Sequence, residues 1–231
     1  MPIIQDKEFG KITIVNSPKA TQIKIKVSPN GTLRVSMPPH TPILLLKYLL
    51  KSSRSKIRLI FDQAKPEYTY KNGMQIGKSH TLISQSTNNQ YFSITKHGQQ
   101  IIAKLPNGKQ LNDPEFSRQI RDAIISALRL EAKKYLPKRL LFLANKYGYT
   151  YSKVRFSHAS SRWGSCSSSG TISLNIALMK LPFELIDYII IHELSHTKQM
   201  NHSQAFWKLV EQADPNYKSH RKLLKLQNPS I

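Results

Sequence analysis

The stretch IIIHELSHTKQMNH, residues 189–202, decides the fold because it joins a buried helix to a cluster of ionisable side chains. An α-helix advances about 100° per residue, so His192 and His196, four residues apart, project from one face one turn apart. Two neutral imidazoles at that spacing are able to bind one Zn²⁺. Glu193 follows the first histidine and points near the open side of such an ion, where it would take a proton from bound water.

A third ligand is expected on the same segment, because a catalytic zinc site takes three protein ligands and keeps one position for water. His202 lies six residues after His196. We expect the helix to end near Met200 and Asn201, with Asn201 in a left-handed conformation that returns His202 to the ion. The preceding ELIDYIII predicts a buried helix, where unpaired imidazoles would cost several kcal/mol. A metal site is therefore favoured over histidines that are merely hydrogen-bonded on a helix face.

The composition indicates a folded, strongly basic protein. Its 231 residues include 35 lysines and arginines against 13 acidic residues, a formal net charge of +22. That charge favours contact with polyanions such as nucleic acid or an anionic membrane surface, and simple solubility is the alternative. The single cysteine, Cys166, excludes an intrachain disulfide. Residues 1–15 lack the pattern of a signal peptide, and no apolar run reaches the roughly 20 residues that span a bilayer, so a cytoplasmic location is expected.

The first part of the chain has the alternating pattern of strands. QIKIKV (23–28) and TLRVSM (32–37) flank the turn PNG (29–31) and predict a hairpin with lysines facing outward. Residues 41–64 change to helical spacing, with Thr41 as the N-cap, and predict a helix or helix pair against the sheet. The apolar face is expected to include Leu44, Leu45, Tyr48, Leu49, Ile57, Ile60 and Phe61.

Residues 68–105 return to strands, with turns at NG (72–73), TNNQ (87–90) and HG (97–98). Alternation stops in the Pro-, Gly- and Asn-rich segment 105–115, where we place the boundary between domains. The prediction is a β-rich N-terminal domain over residues 1–112, with one or two helices, and a second domain over residues 113–231.

The second half reads mainly as helices. Residues 114–136 form a long amphipathic helix, Pro137 restarts a shorter one, and Gly148 is its expected C-cap. Two strands then flank the polar loop SSRWGSCSSSG (160–170), and Pro182 opens the helix that carries the histidines. The expected fold class is α+β.

Residues 161–210 combine W-G-S-C, a strand ending in L-N, the H-E-L-x-H helix, N-H-S and an F-W pair. With these motifs the chain resembles the YgjP-like metallopeptidase domain family of the zincins, which is related to the SprT-like and WLM proteases. The resemblance implies a zincin-like domain whose active-site helix lies against a small sheet. It also implies that Glu193 is the catalytic base and that the zinc ligands are His192, His196 and His202. Gln199 stands where metzincins have glycine, and no methionine turn is evident, so that clan is not assigned.

Other polar residues near these motifs are weaker candidates. Arg162, before the expected edge strand, is a candidate to stabilise an oxyanion or bind a substrate carboxylate or phosphate, with a surface role as the alternative. Asn175 is a candidate to hold the edge strand or the substrate backbone, with a structural role on the turn side as the alternative. Phe206 and Trp207 are expected to clamp the segment after His202. Asp187 and Asp214 are candidates for orienting an imidazole, with a cap or surface role as the alternative. Tyr217 and His220 are candidates for a hydrogen bond to the transition state.

The leading interpretation is a zinc-dependent metallopeptidase that acts on a protein or peptide substrate. One alternative is a metal-dependent nucleoside triphosphate or phosphoanhydride hydrolase, although three imidazoles favour zinc over magnesium. Another is a DNA-associated protease or binding module. Nucleic-acid contact would use a basic helix face, but aromatics suited to base stacking are not interleaved with these charges, and a solvated face is favoured. The charges are those of Arg118, Arg121, Arg129, Lys133, Lys134, Lys138 and Arg139.

Overall fold

The structure is a computed structural model that describes residues 3–18, 20–27, 32–63 and 69–231. The chain divides into two units, Met1–Thr69 and Tyr70–Ile231. Helices and small mixed sheets occur together, which confirms the predicted α+β class.

The first unit is a four-stranded sheet with two helices. Its strands are β1 (Ile3–Asp6), β2 (Gly10–Asn16), β3 (Lys24–Val27) and β4 (Leu33–Met37), in the order β1-β2-β4-β3. Strands β3 and β4 are antiparallel, as predicted, with Lys24 opposite Ser36. The predicted turn at 29–31 lies outside the described residues. The core includes Ile12, Ile14, Leu33, Val35, Leu46, Leu50 and Ile57.

The helices of this unit, α1 (Ile43–Ser52) and α2 (Arg54–Gln63), differ from the prediction in two respects. Pro42, and not Thr41, occupies the N-cap position of α1, and no side chain caps it. The predicted apolar face of α1 was also wrong, because Leu44 and Tyr48 are exposed while Leu46 and Leu50 are buried. Residues 43–46 are all apolar, so this run does not define which side of the helix faces the sheet.

The second unit begins with another four-stranded sheet. Its strands are β5 (Met74–Ile76), β6 (His80–Thr87), β7 (Ser93–His97) and β8 (Gln100–Pro106), in the order β5-β6-β8-β7. Strands β6 and β8 are parallel, and the outer strands pair with them in antiparallel fashion. Gly73 and Gly98 adopt φ of 77° and 58° at two predicted turns, which is the left-handed region that favours glycine.

One long helix, α3 (Ser117–Tyr147), continues through Pro137. The predicted break at Pro137 is therefore absent. Proline removes one helical hydrogen bond, but the helix buries a continuous face from Ile120 to Ala144 in the core of this unit, and that packing holds both halves in one line. Gly148 caps the helix in a left-handed conformation with φ of 65°, as predicted.

Glu131 on α3 connects this helix to the β5–β6 turn. Its buried carboxylate accepts hydrogen bonds from the backbone N–H groups of Lys78, Ser79 and His80, from the Ser79 hydroxyl, and from His80 Nδ1 at 2.6 Å. The same hydrophobic core contains Leu82 and Ile101 of this sheet. The sheet therefore belongs with α3, and the boundary predicted between residues 112 and 113 falls inside the second unit.

The remaining elements frame the histidine segment. Strands β9 (Lys153–Ser157), β10 (Gly164–Cys166) and β11 (Thr171–Asn175) form a sheet in the order β10-β11-β9. Strand β10, inside the predicted loop, is an antiparallel edge strand, and β9 and β11 are parallel. A 3-10 helix over Ile176–Lys180 precedes α4 (Phe183–Ser195), α5 (Gln204–Ala213) and α6 (Tyr217–Leu224). Among the helices described, none has the length and apolar character needed to cross a membrane.

Candidate metal centre

The three predicted ligands lie together at the C-terminal end of α4. His192 is in its last turn, His196 is its C-cap, and His202 lies in the loop before α5. One ring nitrogen from each histidine lies within 4.8 Å of the others. His202 is exposed, whereas His196 is buried with 9% of its surface exposed. The cluster therefore opens to solvent on the His202 side.

The nitrogen geometry fits a divalent ion. The Nε2 atoms of His192 and His202 lie 3.1 Å apart, and two nitrogen ligands of a tetrahedral zinc are about 3.3 Å apart. The Nδ1 atom of His192 is buried without a hydrogen-bond partner among the described residues. His196 Nδ1 lies 3.1 Å from the Gln199 carbonyl oxygen, to which it donates, and this leaves its Nε2 as the ligand atom.

Burial and neighbouring groups keep the His192 imidazole neutral, which is the state in which an imidazole binds a metal ion. Burial, together with the imidazoles of His196 and His202 and the guanidinium of Arg221, lowers the pKa of His192 to about 3. Burial also lowers the pKa of His196, although the hydrogen bond to the Gln199 carbonyl opposes that shift. Both imidazoles are therefore neutral at neutral pH.

The turn that returns His202 to the cluster differs from the predicted one. Helix α4 ends at Ser195, before the expected position near Met200. Asn201 does not adopt a left-handed conformation. Its side-chain oxygen instead accepts hydrogen bonds from Gln199 Nε2 at 2.8 Å and from the Ser203 N–H at 3.3 Å. These contacts close the turn without a positive φ.

Two aromatic residues contact the imidazoles directly, whereas the F-W pair was predicted only to clamp the segment after His202. The fully buried Phe206 stacks on His196 with ring centroids 4.5 Å apart, and it meets His192 and His202 edge-on at 4.9 and 4.8 Å. Trp207 stacks on His202 at 5.7 Å. Because rings packed on several sides lose rotational freedom, these contacts orient the imidazoles.

Glu193 is buried beside the first ligand, with 6% of its surface exposed. Burial raises the pKa of Glu193 to about 8, and the positive charge of Arg162 opposes this shift. The side chain lies directly against Gly164, where an added Cβ would be 2.6 Å from Glu193 Oε1. The edge strand β10 therefore begins in contact with the carboxylate.

The exposed Arg162 lies in the loop that leads to β10, and its charge acts on Glu193. Asn175 holds this loop in place. Its Nδ2 donates to the carbonyl oxygens of Ala159 at 2.6 Å and Arg162 at 2.8 Å, and its Oδ1 accepts from the Ala177 N–H at 3.0 Å. Asn175 is completely buried, so it anchors the loop and does not bind substrate.

The remaining candidates have partners of their own. Asp187 forms an ion pair with Arg139 at 2.5 Å and not with a ligand imidazole. Asp214 accepts a hydrogen bond from His220 Nδ1 at 2.7 Å. The His220 ring lies 6.2 Å from the Tyr188 ring, and Tyr217 stacks on Trp207 at 5.5 Å. His220 therefore lies beside Tyr188, whose ring meets that of His192 edge-on. Tyr217 lies against Trp207, which stacks on His202.

Two contributors were not predicted from the sequence. Gly164 gives the Glu193 side chain room, and a glycine within a strand is an indication of such close approach. The backbone carbonyl oxygen of Gln199 accepts the hydrogen bond from His196 Nδ1. Every residue has such a carbonyl, so the sequence does not indicate which one makes this contact.

Three imidazoles that could hold a metal ion lie on one segment with a buried carboxylate, beside an edge strand. The chain belongs to the YgjP-like metallopeptidase domain family, which matches residues 21–227. This confirms the resemblance seen in residues 161–210 and makes the protein a metallopeptidase. A similar solved structure is the crystal structure of the metallopeptidase zymogen of Pyrococcus abyssi abylysin, which is 32% identical in sequence. The match covers 41% of this chain and 98% of that chain, with a TM-score of 0.36. No curated protein matches the chain.

Proposed function

We propose that this protein is a zinc-dependent peptidase in which His192, His196 and His202 hold the ion and Glu193 is the general base. The observation that carries the proposal is the position of three mutually close imidazole nitrogens beside a buried carboxylate. Imidazole ligands suit zinc, whereas magnesium prefers oxygen ligands. The family implies a divalent metal, and the ligand set supports zinc as its identity.

A bound zinc ion supplies polarisation of the substrate carbonyl and a lowered pKa for the attacking water. Glu193 accepts one proton from that water at a carboxylate oxygen as the water oxygen bonds to the peptide carbon. It then delivers the proton to the leaving amine as the C–N bond breaks. Burial raises the pKa of Glu193 to about 8, and a divalent cation held by the three histidines would lower it, which would make the carboxylate available as the base at neutral pH.

The edge strand β10 is the proposed docking place for the substrate backbone. Among the residues that the structure describes, it pairs with β11 on one side only, which leaves its outer edge for an extended peptide by strand addition. Gly164, at its start, adjoins Glu193, which would place the peptide beside the base. Arg162 is proposed to bind a substrate carboxylate or to stabilise developing negative charge.

The test is the Glu193→Gln variant, assayed with casein and fluorogenic peptides after zinc has been added back. The amide keeps the shape of the side chain but cannot accept the proton, so the variant should retain zinc and lose peptide turnover. Lys208→Gln, on exposed α5 surface, is the matched control. Turnover by Glu193→Gln at the wild-type rate would remove Glu193 from the mechanism.

Nucleoside triphosphates belong in the same assay, because a phosphoanhydride hydrolase would use the same three imidazoles. Zinc-dependent release of phosphate or pyrophosphate, without peptide cleavage, would favour that alternative. Peptide cleavage without nucleotide hydrolysis supports the peptidase.

A further inference from the structure

A cavity lies at the N-terminal end of α4, at the opposite end of this helix from the histidines. It encloses about 500 Å³, and its wall includes Lys78 and Ser79 of the β5–β6 turn, Lys134, Lys138 and Phe142 of α3, and Phe183 of α4. Phe183 precedes His192 by nine residues, which corresponds to about 13 Å along a helix. The cavity is therefore separate from the candidate metal centre.

Three lysines in this wall, Lys78, Lys134 and Lys138, form no ion pair with a carboxylate among the described residues. Lys134 and Lys138 are exposed and lie one helical turn apart on α3, so both project toward the same side. The other charged groups of the wall are engaged: Arg139 pairs with Asp187, and Glu131 accepts its set of hydrogen bonds from the β5–β6 turn. The Lys78 ammonium donates a hydrogen bond to the Leu181 carbonyl oxygen. An anion in the cavity would therefore meet two available ammonium groups.

Two exposed aromatic rings lie in the same wall as these lysines. Phe142 and Phe183 are 51% and 50% exposed. The Arg139 guanidinium lies 4.8 Å from the Phe142 ring centroid, and Lys78 Nζ lies 4.3 Å from that of Phe183. The fold brings Phe183 of α4 into the same wall as the basic residues of α3. Large exposed rings in a concave site are typical of a binding surface.

We propose that this cavity binds single-stranded nucleic acid, with phosphates on Lys134 and Lys138 and an unpaired base stacked on Phe142 or Phe183. Base stacking on aromatic rings combined with backbone contact by cations is the physical basis of single-strand binding. An acidic peptide would use the lysines but leave the rings uncovered, and duplex bases are already stacked. The net charge of +22 also favours approach of a polyanion. This activity goes beyond peptide cleavage and does not require it.

The charge contribution is tested by fluorescence anisotropy of the full chain with labelled dT12 and rU12 over a range of salt concentrations. The Lys134→Ala/Lys138→Ala variant should reduce the slope of log K against log salt by about 1.4, or about 0.7 for each phosphate that is no longer neutralised. The control, Lys96→Ala/Lys104→Ala, removes two exposed charges on β7 and β8 and should leave the slope near that of the wild type. An equal reduction in both variants would overturn the proposal, because binding would then follow net charge alone.

The stacking contribution is tested with Phe142→Ala against dT12 and an abasic strand of equal length. Loss of one stacked base should weaken dT12 binding at least about five-fold, and binding of the abasic strand should be unchanged. Leu141→Ala, which removes a neighbouring side chain that is 52% exposed, is the control and should affect neither. Equal weakening of both strands, or no weakening, would overturn the proposal, as would displacement of dT12 by polyglutamate as effectively as by unlabelled dT12. The tighter of dT12 and rU12 identifies the natural strand as DNA or RNA.

Discussion

Replacing Gly164 with alanine should disable the proposed general base while leaving the metal in place. The added Cβ would lie 2.6, 2.7 and 2.9 Å from Oε1, Cγ and Cδ of Glu193, whereas ordinary contact begins at 3.4 Å. The carboxylate would have to move by about 0.8 Å, and a misplacement of about 1 Å in a catalytic group costs on the order of 100-fold in rate. Gly164 is not in the left-handed region, so alanine suits its backbone and the effect is steric.

The assay is kcat/KM on a fluorogenic peptide, with zinc content and thermal stability measured on the same preparation. We expect kcat/KM to fall about 100-fold, with zinc content unchanged and the fold intact. Ser165→Ala is the matched control, because it changes the next residue of β10 without adding a Cβ. Wild-type kcat/KM in a folded, zinc-loaded Gly164→Ala variant would refute the reasoning that places Glu193 against Gly164.

Two further substitutions test the framework around the site. Asn175→Ala removes hydrogen bonds to Ala159, Arg162 and Ala177 and should lower the free energy of unfolding by about 1–3 kcal/mol in urea titrations; an unchanged midpoint would mean that the loop does not depend on Asn175. Glu131→Ala leaves buried donors unpaired and should cost about 3–5 kcal/mol. Burial alone would raise the pKa of Glu131, but hydrogen bonds from His80, Lys78 and Ser79 outweigh it and lower that pKa. The Glu131 contribution is therefore present above the unfolded-state pKa of about 4.3 and is lost as pH falls through the folded-state pKa, so wild-type and variant stabilities should converge in acid.

The candidate metal ligands could be predicted because they occupy one short segment. Helical spacing places His192 beside His196, and only a single turn is needed to add His202. The details of that turn could not be predicted, because it is closed by the Asn201 side chain and by a backbone carbonyl of Gln199. Local composition does not determine which of several polar groups makes such contacts.

The errors in the fold have a common cause in contacts between distant parts of the chain. The continuous packed face of α3 overrides the break expected at Pro137. The hydrogen bonds of Glu131 attach the second sheet to α3 across about 50 residues of sequence and move the boundary to Thr69–Tyr70. Strand β10 has three residues in a serine-rich loop, too few for alternation to identify it.

The zinc content of purified protein tests the central claim most directly. Metal analysis should find about one zinc per chain in the wild type and in Glu193→Gln, and should find none in a folded His192→Ala/His202→Ala variant, because one imidazole seldom holds zinc alone. A folded wild type that takes up no zinc after zinc is added back, or a double-histidine variant that retains the wild-type amount, would contradict the assignment of His192, His196 and His202 as the metal ligands.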